Sequence, residues 1–144
     1  MMKKDLFVGR HVYDAFVGYA HGQLERMFAT GDISTGYMGA KRKALVERYG
    51  YDCKNAGHLV RLLRQAVEFL QTGELVVRRP DAAELIEIKR GKWSIAQVRT
   101  EAARLFDEAR EALRRSTLPD GPDHEGAERL LVNLVEGTHW PNDY

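Results

Sequence analysis

The stretch from Asp52 to Gly73, DCKNAGHLVRLLRQAVEFLQTG, constrains the fold more than any other. Leu59, Leu62, Leu63, Ala66, Val67, Phe69 and Leu70 recur at helical spacing and make one broad apolar face. Asp52 suits the N-cap, because its carboxylate can accept a backbone N–H of the first turn. Gly73 suits the position after the last turn, where a left-handed residue ends a helix. So wide an apolar face has to be buried, and the rest of the chain supplies further helices to bury it.

Helical spacing at Val12, Ala15, Phe16, Tyr19 and Met27 predicts a first helix, weakened by Gly18 and Gly22. Residues 29–40, ATGDISTGYMGA, hold three glycines and read as a loop, the segment expected to move most. KRKALVERYG predicts a short helix ending at Gly50. After Gly73, ELVVRR reads as short and extended. Asp81-Ala-Ala-Glu84 has the capping-box pattern and opens a helix running to Gly91. Ser94-Ile-Ala-Gln97 opens a longer one through Ala102, Leu105, Ala109 and Leu113. Asp123 begins a last helix with Leu130, Leu131, Leu134 and Val135, closing at Gly137. The expected fold is mostly α, a single domain over residues 1–137 with about six helices and at most one short extended stretch. Residues 138–144 read as a tail.

The 144 residues carry a net charge of +1, so bulk charge implies no polyanionic partner. The distribution says more. Residues 1–64 hold eleven Lys/Arg against six Asp/Glu, and residues 65–144 hold eleven against fifteen. The basic half is the place to look for a phosphate-bearing ligand. The single cysteine, Cys53, excludes an intramolecular disulfide and a multi-cysteine zinc site. In the first turn of a helix its thiol is either activated or packed as a small hydrophobe. No run approaches the roughly 18 apolar residues of a membrane span. A cytoplasmic location is expected.

Lys54, His58, Arg61 and Gln65 fall within about 60° of one another on the helix after Asp52. The stripe contains no acid and starts where first-turn N–H groups and the helix dipole favour an anion. It reads either as a phosphate site or as a solvated face, with His58 a ligand group or a neutral partner for a neighbouring helix. Lys41, Arg42 and Lys43 follow the glycine-rich loop and could steer a nucleotide or nucleic acid. Tyr13, Tyr19, Tyr37, Tyr49 and Tyr51 crowd the basic half, mostly as core residues, one or two as stacking surfaces for a base. His11 and His21 lie ten residues apart, about 80° on a helix, which is no metal-ligand spacing. No metal site is expected. P-loop, Gly-x-Gly-x-x-Gly, nucleophile-elbow, His-Glu-x-x-His and Asp-x-Asp patterns do not occur, so no self-sufficient catalytic centre is expected.

In order, LFVGRHVYDAFVGYAHGQL, then GYDCKNAGHLVRLLRQAVEFLQTGELVVRRPDAAELIEIKRGKWS, then STLPDGPD resemble the C-terminal helical part of predicted nucleotidyltransferases. That family belongs to the DNA polymerase β-like superfamily, in a branch associated with RNA ligases and RNA repair. The resemblance rests on Gly50, Tyr51, Asp52, Lys54, Ala56, His58, Arg61, Leu62 and Leu63, on Thr72-Gly73-Glu74, and on Ile88 to Ser94. Gly18, Tyr19, Ala20 and Gln23 add to it, and it covers roughly residues 6–130. The family's Gly-Ser turn and Asp-x-Asp pair, which would hold metal and triphosphate, do not occur here.

The resemblance implies a helical module that faces an active cleft and positions nucleotide or acceptor RNA. Lys54 and Arg61 would neutralise phosphates, and His58 would hydrogen-bond a phosphate, ribose or base. Lys41, Arg42 and Lys43 would steer, with Gln65, Tyr19 and Gln23 behind them. Magnesium and a nucleoside triphosphate would come only with a separate catalytic nucleotidyltransferase domain. An exposed apolar surface, and so a homo-oligomer or hetero-complex, is expected where such a domain docks. The alternatives are a non-enzymatic nucleotide- or nucleic-acid-binding module, in phage or defence biology for instance, and a protein-interaction module.

Overall fold

The structure is a computed structural model that describes residues 3–28 and 39–137. The glycine-rich loop expected at residues 29–40, with Tyr37, therefore lies almost wholly outside the described residues, as does the tail at 138–144. Among the described residues there are six α-helices and no strand: α1 (Val12–Phe28), α2 (Ala40–Tyr49), α3 (Cys53–Thr72), α4 (Ala82–Lys89), α5 (Ile95–Arg115) and α6 (His124–Gly137). A short 3-10 helix over Lys3–Leu6 precedes them. The mostly α, single-domain expectation holds.

The helix after Asp52 is the hub. α1, α2, α4 and α5 all pack on α3, which buries Leu59, Val60, Leu63, Ala66 and Leu70. Opposite them lie Ile88 of α4 and Val98, Ala102, Leu105 and Ala109 of α5. Burial of each large aliphatic side chain contributes roughly 1.5–3 kcal/mol, so this seam carries the fold. Asp52 accepts the Asn55 N–H at 3.0 Å, and Gly73 closes the helix at φ +72°. Gly50 and Gly91 end α2 and α4 in the same left-handed region, at φ +79° and +75°.

Two expectations change. The Ser94 capping box forms, with both reciprocal bonds present. The one at Asp81 does not; its carboxylate is bonded instead by Arg64 of α3 and by Arg79, two residues before it. The buried face of α1 differs in part from the one expected: Phe16 and Met27 pack partly buried against the core, but its centre lies elsewhere. Val17, Ala20 and Gln23 are buried, whereas Ala15 and Tyr19 are exposed. Small side chains at Val17 and Ala20 let α1 lie close to α3, and Tyr19 is left at the rim.

Candidate functional site

On α3, His58 and Arg61 sit one turn apart, and Arg61 Nη2 donates to His58 Nδ1 at 2.9 Å. A guanidinium only donates, so Nδ1 is the acceptor in this contact. The Tyr19 ring of α1 meets the His58 ring edge-on, with centroids 6.1 Å apart. Ala15, Phe16, Tyr19, His58 and Leu62 line a shallow depression of about 190 Å³. Its walls are apolar, with Arg61 at its edge through the bond to His58 and exposed Lys54 a turn before.

The structure places the other expected residues less uniformly. Gln65 is buried and its amide donates to the Val76 carbonyl at 3.2 Å, so the stripe ends at Arg61. That bond ties the segment after α3 to the helix. Gln23 is buried on α1. Lys41 is exposed and Lys43 half-buried on α2. The Arg42 side chain lies outside what the structure describes. Asp52 puts a carboxylate at the start of α3, so an incoming anion would rely on Lys54 and Arg61 more than on the helix end. Cys53 is fully buried and donates to the Lys89 carbonyl at 3.1 Å. Burial, then the charge of Asp52, push its thiol up, which makes it a packing residue.

A second polar cluster was not visible in the sequence. Arg64 of α3 bonds Asp81 at 2.7 Å, Glu84 at 2.6 Å and Glu101 at 2.8 Å, joining α3, α4 and α5. Arg79, whose side chain is 5% exposed, bonds Glu68 at 2.5 Å and Asp81 at 2.8 Å. Bonds from Arg104 and then Arg64 overcome burial and hold the Glu101 carboxyl at about 2. Burial would raise Asp81, but Arg79 and Arg64 outweigh it and hold it below the usual carboxylate range. Perturbed acids often mark active sites. Here the carboxylates are tied to arginines, so the cluster is a clamp. Its only sequence signal is Arg64 standing among the apolar residues of α3.

No family model, curated protein or solved structure matches the chain. The geometry therefore has to carry the functional reading alone. Among the described residues no three His, Cys, Asp or Glu side chains are placed to hold a metal ion together. No helix among them is long and apolar enough to cross a membrane. A larger open hollow of about 390 Å³ lies along α6, lined by Glu125, Glu128, Arg129, Val132 and Asn133. Arg129 there faces Glu125 at 3.6 Å, so the acids outnumber the one cation and the hollow does not suit a phosphate.

Proposed function

We propose that the chain is a nucleotidyltransferase-like helical module that binds phosphate-bearing nucleotide or RNA on the α1–α3 face. The observation that carries this reading is the meeting of Tyr19, His58 and Arg61 around an apolar depression. Arg61 commits one Nη to His58 and keeps other guanidinium donors for a phosphate. Exposed Lys54 adds a second charge from the otherwise buried first turn of α3. Half-exposed Tyr19 offers a ring edge and face to a base, and the apolar floor suits the uncharged part of a nucleotide. Chemistry would need magnesium, a nucleoside triphosphate and carboxylates from a separate catalytic domain; this chain's part is to hold and orient. A cytoplasmic setting suits such a role.

Titration of nucleoside triphosphates and single-stranded RNA by fluorescence anisotropy tests the reading. Lys54→Ala/Arg61→Ala should weaken binding at least about tenfold, with an unchanged melting temperature. A wild-type protein that binds no nucleotide and no RNA sinks it. Transfer of labelled nucleotide to RNA, with and without an Asp-x-Asp-containing partner domain, then tests for a contributory enzyme.

A protein-interaction role is favoured by α6 instead. Leu131, Val132, Leu134 and Val135 are 46–65% exposed along one short helix, an apolar display of the kind that subunits or partner domains cover.

A further inference from the structure

We propose that Lys89 and Arg90, at the end of α4, extend the Lys54–Arg61 site into a tract for consecutive phosphates of a nucleic-acid strand. This rests on the phosphate-binding reading above and names its ligand class: a polynucleotide backbone, not a lone nucleotide.

Three contacts pin the helix ends together at this corner. Cys53 at the start of α3 bonds the Lys89 carbonyl, and Tyr51 Oη donates to the Trp93 carbonyl at 2.6 Å. The Tyr49 ring at the end of α2 lies on Gly91, where an added Cβ would meet it at 2.5 Å. The Arg48 guanidinium sits 5.2 Å over the same ring.

Lys89 is the decisive residue. Its stem crosses α3 at Gly57, where an added Cβ would stand 2.5 Å from Lys89 Cγ and 3.2 Å from Cε. Gly57 is three residues after Lys54 and four before Arg61, so all three share one side of α3. The Lys89 stem, from a different helix, therefore lies over the stretch of α3 between Lys54 and Arg61. Arg48, Lys54, Lys89 and Arg90 are all exposed.

Glu87 pairs with Lys92 at 2.9 Å, Asp52 is buried at its cap, and Glu47 is exposed on α2. Apart from Lys92, which Glu87 takes, the sequence puts Arg48, Lys54, Arg61, Lys89 and Arg90 on α2, α3 and the end of α4. Packing that gathers like charges on one surface costs stability unless an anion shares them. Cations supplied by three helices suit phosphates repeating along a strand better than one compact phosphate group.

Lys89→Met/Arg90→Ala keeps an unbranched stem over Gly57 while removing both charges. Its affinity for a ten-nucleotide single-stranded RNA should fall at least tenfold near 0.1 M salt. The slope of log K against log salt should flatten by about 1.4, or 0.7 for each lost charge. Affinity for a mononucleoside triphosphate and the melting temperature should not change. Single-stranded DNA of the same length shows whether the sugar matters; similar losses on both support a tract that reads phosphates. If the double variant binds strands as the wild type does, with the same salt slope, the tract is wrong and the Lys54–Arg61 reading stands. The tract is equally wrong if the wild type binds nucleotide but no strand. If the wild type binds neither, both fail.

Discussion

Replacing Arg64 with alanine should lower the unfolding free energy by about 3 kcal/mol, at the lower end of what breaking a buried ion pair costs. Arg64 is 16% exposed, and of its three partners Asp81 and Glu101 are 19% and 14% exposed. Without the guanidinium both lose a bond that burial makes expensive to leave unmade. Each keeps one other arginine, Arg79 for Asp81 and Arg104 for Glu101, which limits the loss. Glu84, 42% exposed, adds little. Arg64→Met restores bulk without charge and should recover only the packing part. Urea denaturation at neutral pH measures both; a loss under about 1 kcal/mol for Arg64→Ala would show that the clamp is decoration.

Acid should dismantle the same clamp more completely, because it reaches every carboxylate at once. Glu101 has an ordinary value of 4.5 and is held at about 2 in the folded chain. As pH falls below 4.5 the unfolded chain takes up this proton first. The stability Glu101 contributes is therefore intact above pH 4.5 and lost as pH falls towards 2. Asp81 is shifted in the same direction and adds to the loss. Protonation there also strands the guanidiniums of Arg64 and Arg79 in a partly buried place. Denaturant midpoints across this window should drop steeply for the wild type and less steeply for Glu101→Gln. Parallel curves for the two would contradict the assignment.

Local rules made much of the fold legible. Glycines at 50, 73 and 91 announced helix ends, and each has positive φ. Ser94 and Gln97 announced a capping box that forms. The failure at Asp81 has the opposite character. Its pattern was right, but Arg79, two residues earlier, and Arg64, 17 residues earlier, hold the same carboxylate, and no local spacing reveals the second, on another helix. The Arg64–Glu101 bond spans 37 residues and was hidden for the same reason. At the candidate site, the i, i+3 spacing put His58 and Arg61 on one side of α3, though not the bond between them. Lys89 crossing at Gly57 depends on how α4 docks, which side-chain periodicity within α3 does not encode.

The hub arrangement also orders the ways in which the molecule comes apart. α3 is held by four other helices, whereas α6 touches only the Lys3–Leu6 turn among the described elements. Gly126 is the only buried residue of α6, so its amides beyond Gly126 should exchange with solvent long before those of Leu59 to Leu70. Hydrogen exchange followed by mass spectrometry reads this order directly. The surface carrying Lys54, His58 and Arg61 thus belongs to the element that opens last. A ligand arriving there meets a surface already in place, and little of its affinity is lost to ordering the chain.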